Sequence, residues 1–370
     1  MKKNTRNRPY ILPLMAAMIF FLVILCALSS CELQSLATPQ ETTDGASTVY
    51  QPVEITTTQE ESPTTAETTT APLSTTAPPT TTTAPQISYY NPLNGLPCEG
   101  VLSSRRPIAL SIKTAYGSQI AAADLVIEAP TESAQTRLSL VGNDYASLLQ
   151  ENAIASTRPH LASLANDLFA ISIYRGTSDG GRESTRFLYN TIDTETMHLE
   201  ANEASLLALI AEKGYQSTIA GSIALPYTLA GLGESVKPQK SPSTYVSIPF
   251  SDAAQTSFTY DSLTKSYTMR SCTALLQDTT LPTYSNLLIL FYDATLRVTK
   301  DGTELTLDTE MGGNGYYISQ GGVVPILWRR DSETSRLCFV DENGATLTIN
   351  RGKTYIGMTT FAYREGLILN

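Results

Sequence analysis

A Thr- and Pro-rich stretch from Gln40 to Gln86 limits how much of this 370-residue chain can fold. It lacks the apolar periodicity that would offset the cost of ordering the backbone, and its composition is that of O-glycosylated stalks. About 50 such residues reach roughly 40 Å as a flexible coil, or on the order of 150 Å as extended polyproline II. We predict a linker over residues 32–88, either a tether or a tolerated spacer, and a folded body over residues 89–370.

The segment before this linker has the order of an export signal. Basic residues precede an apolar run at residues 11–27, which leads into Leu28-Ser29-Ser30-Cys31. This ending resembles the bacterial lipobox, in which the cysteine thiol receives a diacylglyceryl group that helps to anchor the chain. We predict a signal peptide over residues 1–31 and lipidation at Cys31, with an uncleaved membrane span as the alternative. Both interpretations predict an extracytoplasmic body, anchored at the outer face of the bacterial cell membrane.

The charge of the chain excludes some partners. Lys2, Lys3, Arg6 and Arg8 contribute +4 to the net charge of −10, so the part after Cys31 carries −14. An acidic surface repels phosphate backbones and anionic lipid headgroups. We therefore expect no nucleic-acid partner, and attachment to the membrane through the lipid anchor.

Cysteine and histidine usage argues against a disulfide framework and against a metal site. Cys98, Cys272 and Cys338 follow the lipobox, so at most one pair can form. The chain holds two histidines, His160 and His198, without the spacing of a zinc site. It also lacks a P-loop and a dinucleotide-binding fingerprint. We expect no metal and no cofactor.

The first half of the body, residues 89–240, mixes strand and helix patterns. Apolar runs of strand length lie at 108–112, 123–128, 136–141 and 170–174. Leucines at helical spacing follow Pro159, which suits the first turn of a helix. Asn202 can cap a second helix over residues 203–213, which Gly214 would end. This half is predicted to be a mixed α/β module.

The second half, residues 241–370, changes to short β-rich runs separated by turns. Predicted strands lie at 245–250, 266–270, 287–292, 304–308, 315–319, 323–329, 346–350 and 354–359. The turns contain Gly pairs, Asp-Gly and Asn-Gly, which supply the positive φ angles of tight hairpins. We predict a mainly antiparallel β module, barrel-like or sandwiched, so the fold class of the chain is α+β.

Motifs spread over residues 91–367 support one resemblance. They are RPIAL (106–110), ADLVIEAPTESAQTR (123–137), ASTRP (155–159), Tyr174 to Ser178, His198, YDSLTKSYTMR (260–270), NLLILF (286–291), VPILWRR (324–330) and INRGKTYIGM (349–358). With these motifs the chain resembles the YerB-like bacterial lipoproteins, a family built of DUF3048 N-terminal and C-terminal modules whose function is not established. The resemblance implies a cellular location and a fold rather than an activity.

Three departures from the family pattern bear on any shared chemistry. Ser133-Ala134 stands where the family has a Gly pair, and Ala155 stands where it has the first of two arginines. Residues 174–178 read Tyr-Arg-Gly-Thr-Ser where the family has His-x-Gly-Gly-Ser. If those groups carry chemistry in the family, the resemblance implies that this member has altered it.

Charged residues near the end of one predicted strand form a candidate ligand-binding cleft. Glu128 and Glu132 lie four apart, so an extended chain would place both carboxylates on one face, followed closely by Arg137. Arg158 precedes the predicted helix, whose amino end carries partial positive charge, so a bound anion would satisfy both. We predict a cleft of these four residues with Ser156. Structural Glu–Arg ion pairs are the alternative.

Two more candidates lie further along the chain. Residues 176–180 match the G-x-S-x-G nucleophile elbow and place Ser178 after a predicted strand, as that motif requires. His198 follows too closely for the usual order of a catalytic triad, and the sequence after Gly181 is only weakly helical. We include Ser178 and His198 among the ligand-binding candidates and leave the catalytic residues unassigned.

Two functions remain open from the sequence. The first is a non-catalytic surface lipoprotein that binds or scaffolds an envelope polysaccharide or envelope protein. The alternative is a wall-acting hydrolase that uses Glu128 or Glu132, or less favourably Ser178. Carboxylates about 5 to 10 Å apart across an open groove would favour hydrolysis, whereas Glu–Arg pairs closed to solvent would favour a structural role.

Overall fold

One large mixed β-sheet carries most of the body. The computed structural model describes residues 88–149, 154–176, 190–194, 202–276, 278–299, 302–310, 312–331 and 335–370. The helices in these ranges are α1 Gly100–Ser104, α2 Gly117–Ala122, α3 Tyr145–Leu148, α4 Pro159–Asp167 and α5 Glu203–Glu212, with a 3-10 helix at Phe361–Gly366.

The strands of the described ranges are short, mostly two to eight residues. They are β1 Tyr89–Tyr90, β2 Pro97–Cys98, β3 Ile108–Ile112, β4 Ala115–Tyr116, β5 Leu125–Pro130, β6 Thr136–Gly142, β7 Ile171–Tyr174, β8 Thr191–Asp193, β9 Thr228–Leu229, β10 Ser241–Pro242, β11 Tyr245–Pro249, β12 Gln255–Asp261, β13 Ser266–Ser271, β14 Leu275–Leu276, β15 Thr283–Tyr284, β16 Asn286–Tyr292, β17 Ala294–Thr299, β18 Gly302–Leu307, β19 Gly312–Ser319, β20 Gly322–Arg329, β21 Cys338–Val340, β22 Thr348–Ile349, β23 Thr354–Thr360 and β24 Ile368–Leu369.

Eleven strands of the described ranges form the central sheet, in the order β10-β20-β19-β16-β23-β5-β6-β3-β7-β8, with β21 paired to β20. Both β5 and β3 are antiparallel to β6, whereas β23 pairs parallel with β5 and β7 pairs parallel with β3. Strands β16, β23, β5, β3, β7 and β8 therefore run in one direction. A second sheet, β15-β13-β12-β11-β24, is antiparallel throughout.

The two predicted halves of the body share the central sheet. Parallel pairing of β23 with β5 joins Thr354–Gly357 to Leu125–Glu128, and the residues from 88 onward belong to one compact unit. The strand-rich, mostly antiparallel character of the second half is confirmed by its pairings. It is not a separate barrel, because β16 and β23 are buried strands of the common sheet. The predicted boundary near residue 240 marks a change in sequence pattern rather than a break in the sheet.

Alternation along the central strands divides the core into two layers. In β5, Val126 faces the layer shared with the five-stranded sheet, whereas Leu125 and Ile127 face the layer that holds α4. In β16, Leu287 and Ile289 belong to the first of these layers. Since both faces are covered, every residue of β5 is buried, and such strands read as continuous apolar runs.

Local signals in the sequence account for several element boundaries. Strand β3 has the predicted bounds, Ile108–Ile112, and α4 begins at Pro159. Helix α5 follows Asn202, whose side chain accepts a hydrogen bond from the Ser205 backbone N–H at 2.8 Å. A donor that would otherwise be unsatisfied at the helix start is thereby paired, as the capping pattern predicts.

Two sequence predictions concern anchoring and covalent links. No helix in the described ranges is long and apolar enough to cross a membrane, and the apolar run at residues 11–27 and Cys31 lie outside those ranges. Cys98, Cys272 and Cys338 are free thiols.

A buried ion pair fixes the carboxyl end of α4 against the second half of the chain. The Arg330 guanidinium donates to both carboxylate oxygens of Asp167, and the two side chains are 3% and 6% exposed. Further N–H groups of Arg330 donate to the Thr309 carbonyl at 2.8 Å and the Ser335 carbonyl at 3.0 Å. The buried Arg330 guanidinium thus finds its hydrogen-bond acceptors and its counter-ion within the fold.

We expect Asp167→Ala to lower the free energy of unfolding by about 3 to 5 kcal/mol, because it leaves a buried cation without its counter-ion. Glu342→Ala is the matched control, since it removes the Lys240–Glu342 ion pair, whose side chains are 57% and 58% exposed. Exposed pairs contribute at most about 1 kcal/mol. Denaturant unfolding of both variants checks the difference. Equal losses of unfolding free energy in the two variants would show that the buried Asp167–Arg330 pair stabilises the fold no more than the exposed pair does.

Candidate functional site

The first element of the site is the turn between β5 and β6. Strand β5 ends at Pro130 and β6 begins at Thr136. The turn is closed by a hydrogen bond from the Thr131 backbone N–H to the Gln135 carbonyl, 2.8 Å long, and Ala134 takes a positive φ of 57°. Glu132 lies within this turn, at the carboxyl end of β5.

The second element is the segment that leads into α4. The Ala155 backbone N–H donates to the Ser111 carbonyl at 2.8 Å, and the Ser111 hydroxyl donates to the Ser156 carbonyl at 3.0 Å. These bonds hold the segment at the carboxyl end of β3, which runs in the same direction as β5. In open sheets of parallel strands, ligands bind at this edge.

Arg158 joins the two elements through a two-point ion pair with Glu132. Its Nε donates to one carboxylate oxygen at 2.9 Å and its Nη2 to the other at 2.5 Å. Its Nη1 donates to the Ser156 hydroxyl at 3.2 Å and to the Thr157 carbonyl at 3.0 Å. The Arg158 side chain is 4% exposed and that of Glu132 is 21% exposed. The Arg158 guanidinium is therefore held by four hydrogen bonds within the protein and positions the site.

The charge of Glu132 follows from this pairing. Burial alone would raise the pKa of Glu132, but the hydrogen bonds and positive charge of Arg158 outweigh it and lower that pKa. Glu132 is consequently an anion at neutral pH and neutralises Arg158.

Arg137 is the second cation of the site and has no such partner among the described residues. It lies in β6 opposite Ala129, and the residue is only 9% exposed. Within the described residues its buried Nε has no hydrogen-bond acceptor. Burial lowers the pKa of Arg137, and the neighbouring charge of Arg158 lowers it further, although guanidinium stays protonated in proteins. A buried guanidinium with an unpaired N–H is unfavourable until an acceptor arrives.

His160 completes the group and was not among the candidates drawn from the sequence. It is fully buried beside Arg158 and Glu132, and burial, followed by the charge of Arg158, lowers its pKa to about 3. The Pro130 carbonyl is near, but neither ring nitrogen makes a hydrogen bond of normal geometry within the described ranges. Helical spacing gives one signal for its burial, since Leu164 lies one turn further along α4. We call Glu132, Arg137, Ser156, Arg158 and His160 the Arg137 cluster.

Glu128 lies elsewhere, enclosed between the two sheets. Its carboxylate accepts hydrogen bonds from the Tyr355 hydroxyl at 2.6 Å, the Thr256 hydroxyl at 2.8 Å and the Cys272 thiol at 3.4 Å. The residue is 0% exposed, and this burial raises the pKa of Glu128 despite the hydrogen bonds that it accepts. Its environment is that of a structural carboxyl group that links β5 to the five-stranded sheet.

The expectation that Glu128 and Glu132 share one face of a strand is wrong. Strand β5 ends at Pro130, so the alternation of side chains does not extend to Glu132. The structure brings together Glu132, Ser156 and Arg158 by direct contact, with Arg137 beside them, and it places Glu128 in the other layer of the core. Ser178 and His198 lie outside the described residues.

A polar cleft of about 590 Å³ lies at the opposite edge of the sheet, at the amino ends of β5 and β23. Its buried carboxylate, Asp124, accepts from the Asn94 side chain at 2.7 Å and lies near Lys353. Arg105 on the rim pairs with Glu203 at 2.8 Å. These charged groups are matched within the protein, and the cleft contains none of the predicted site residues.

Comparison with known proteins bears on the second half of the chain. Residues 246–356 match the family model described as protein of unknown function (DUF3048), C-terminal domain. This stretch is therefore similar to the DUF3048 C-terminal domain. It includes β11 to β13 of the five-stranded sheet, and β16 of the central sheet.

A solved structure extends the comparison to the first half. The crystal structure of the YerB protein from Bacillus subtilis is similar to this chain with a TM-score of 0.56 and 21% identity, over 73% of this chain and 96% of that one. At this identity the likeness establishes the fold. Together the two findings confirm the resemblance to the YerB-like DUF3048 family. No curated protein matches the chain.

The lowered pKa of His160 predicts a loss of stability in mild acid. An unfolded histidine takes up a proton near pH 6.5, whereas the folded one does so only near pH 3. Stability is therefore full above pH 6.5 and falls as the pH is lowered from 6.5 towards 3, by up to about 1.4 kcal/mol per pH unit. We expect His160→Gln to remove this contribution between pH 6.5 and 5, where few carboxylates titrate.

The measurement is the slope of unfolding free energy against pH for the wild type, His160→Gln and His198→Gln. The last variant changes the other histidine of the chain and is expected to retain the His160 slope. If His160→Gln and the wild type show the same slope, His160 is not held neutral by its surroundings.

Proposed function

We propose that this chain is a lipid-anchored, extracytoplasmic binding protein whose body holds an anionic group of an envelope ligand at the Arg137 cluster. The anchor is Cys31, and the Thr- and Pro-rich linker lets the body reach away from the membrane. The ligand belongs to an envelope polysaccharide or an envelope protein.

One observation carries the binding part of the proposal. Arg137 is nine-tenths buried, its Nε has no acceptor among the described residues, and the nearby carboxylate of Glu132 is already paired with Arg158. Within the part of the chain that the structure describes, the Arg137 cluster therefore keeps one uncompensated positive charge, at the edge of the sheet where ligands bind in open parallel sheets. An incoming anion would supply both the missing acceptor and the missing charge.

The hydrolase alternative lacks comparable support. Glu128 is fully buried with three hydrogen-bond donors, and Glu132 is held by Arg158. Glycoside hydrolysis requires two carboxyl groups that flank an accessible groove, one to donate a proton and one to act as base or nucleophile. We accordingly favour binding over catalysis.

The anchor is tested by metabolic labelling. We expect the wild-type chain expressed in a bacterium to incorporate labelled fatty acid and to fractionate with membranes, whereas Cys31→Ser incorporates none. Cys98→Ser is the matched control and should be labelled like the wild type. A wild-type chain that takes up no label would exclude the lipid anchor.

The ligand site is tested with the full-length chain in detergent micelles and isolated bacterial cell walls. We expect Arg137→Gln to lower the affinity for the walls, measured by co-sedimentation, by about tenfold or more. Charge-assisted hydrogen bonds contribute roughly 1.5 to 3 kcal/mol to binding. Arg329→Gln, at a side chain that is 54% exposed, should bind like the wild type. Unchanged binding of Arg137→Gln, with melting temperature also unchanged, would rule out the proposed site.

A further inference from the structure

The charge balance of the Arg137 cluster determines what kind of anion it can take. Arg137 and Arg158 are cations, Glu132 is an anion paired with Arg158, and His160 is fully buried and neutral. The cluster therefore carries a net charge of one positive unit, most of it out of contact with water. A ligand group with one negative charge cancels this positive charge. A group with two negative charges leaves one excess negative charge buried beside Glu132.

The hydrogen-bonding groups of the cluster add a second requirement. The Ser156 hydroxyl accepts from Arg158 at 3.2 Å, and within the described residues its own hydrogen is left to donate. The Arg137 guanidinium, in a residue that is 9% exposed and whose enclosed Nε is unpaired within the described residues, is a second donor group. Glu132 is one-fifth exposed and keeps lone pairs for an outside donor. The cluster thus offers donors to an oxyanion and an acceptor to a neighbouring hydroxyl group.

Helix α4 strengthens the preference for an anion without changing the net charge of the cluster. It has nine residues and begins at Pro159, directly after Arg158, with no side chain capping its first turn. Its amino end contributes partial positive charge. This end and the unpaired, fully buried His160 ring belong to the same first turn.

We propose that the Arg137 cluster selects a monoanionic oxyanion, a carboxylate or a phosphodiester, carried by a hydroxyl-bearing molecule, and discriminates against phosphomonoesters. This inference rests on the proposed anion-binding function and specifies its ligand class. A carboxylate and a phosphodiester share the chemistry that matters here, namely one negative charge spread over two oxygens that two donors can reach.

The test uses four small probes with the full-length chain, measured by calorimetry. The probes are glucuronate for the carboxylate, glycerophosphoglycerol for the phosphodiester, glucose 6-phosphate for the phosphomonoester and glucose as the neutral control. At pH 7.5 the phosphomonoester carries close to two negative charges. We expect glucuronate or glycerophosphoglycerol to bind at least about tenfold tighter than glucose 6-phosphate, with glucose weakest.

Lowering the pH provides an internal control on the charge argument. The second ionisation of a phosphomonoester lies near pH 6, so at pH 5.5 glucose 6-phosphate is mainly a monoanion, whereas glucuronate keeps its single charge. We expect the preference for glucuronate over glucose 6-phosphate to shrink severalfold between pH 7.5 and 5.5 with the same protein. A preference that is independent of pH would overturn the inference.

Two variants separate the effect of the cluster charge from the effect of a single hydrogen-bond donor. Glu132→Gln keeps the size of the side chain and raises the cluster charge from one to two positive units, so glucose 6-phosphate should gain affinity relative to glucuronate. Ser156→Ala removes one donor and leaves the charge unchanged, so all anionic probes should weaken by a similar factor of about five. Thermal melts of both variants establish that they are folded.

The outcomes distinguish the two proposals. If no probe binds, or if Arg137→Gln binds every probe like the wild type, the anion-binding function itself fails. If binding requires Arg137 but glucose 6-phosphate is preferred at pH 7.5, or Glu132→Gln leaves the relative affinities unchanged, only the monoanion inference fails. Tighter binding of glucuronate than of glycerophosphoglycerol, or the reverse, identifies the source of the oxyanion.

Discussion

The pairing of β5 with β23 is the constraint on which the rest of the structure depends. These strands come from opposite halves of the chain and lie side by side in parallel register, covered on both faces. Parallel neighbours cannot be joined by a hairpin and require long connections. The intervening segments supply further strands of the central sheet, together with the five-stranded sheet and α4, which pack against its two faces. A chain that failed to form this pairing would leave the backbone N–H and C=O groups along one edge of β5 without their partners.

The two faces of the hairpin of β5 and β6 carry charged groups that serve different purposes. On one face Glu128 is sealed between two sheets and held by hydroxyl and thiol donors, so its hydrogen bonds link the two sheets. On the other face Arg137 lies at the edge of the sheet, and its Nε–H has no acceptor within the described ranges. The first group is satisfied by the protein itself, whereas the second is not. This contrast separates a structural polar group from a candidate binding group.

Helix α4 connects the site to the scaffold because both of its ends are fixed by ion pairs. Arg158 at its start is bound to Glu132, and Asp167 in its last turn is bound to Arg330. The second pair ties the helix to a part of the chain more than 160 residues away. The position of Ser156 and Arg158 relative to Arg137 therefore depends on residues from both halves of the chain. A rigid frame of this kind lowers the entropic cost of binding.

Much of the local structure could be predicted from the sequence. Apolar run length predicted β3, Pro159 predicted the start of α4, and Asn202 predicted the cap of α5, because strand burial, proline φ and capping are properties of a few neighbouring residues. The strand-rich second half was also predictable. The sequence did not predict where Glu128 would point relative to Glu132, because that depended on β5 ending at Pro130.

Sequence and tertiary structure thus determined different things. The order of basic, apolar and small residues before Cys31, the Thr- and Pro-rich linker and the acidic charge are properties of composition, and the sequence by itself determined them. Which carboxylate meets which guanidinium was decided only by the fold. Glu132 and Arg158 are 26 residues apart, and they meet because β5, β6 and β3 lie side by side, so that Arg137 is left without a paired carboxylate among the described residues.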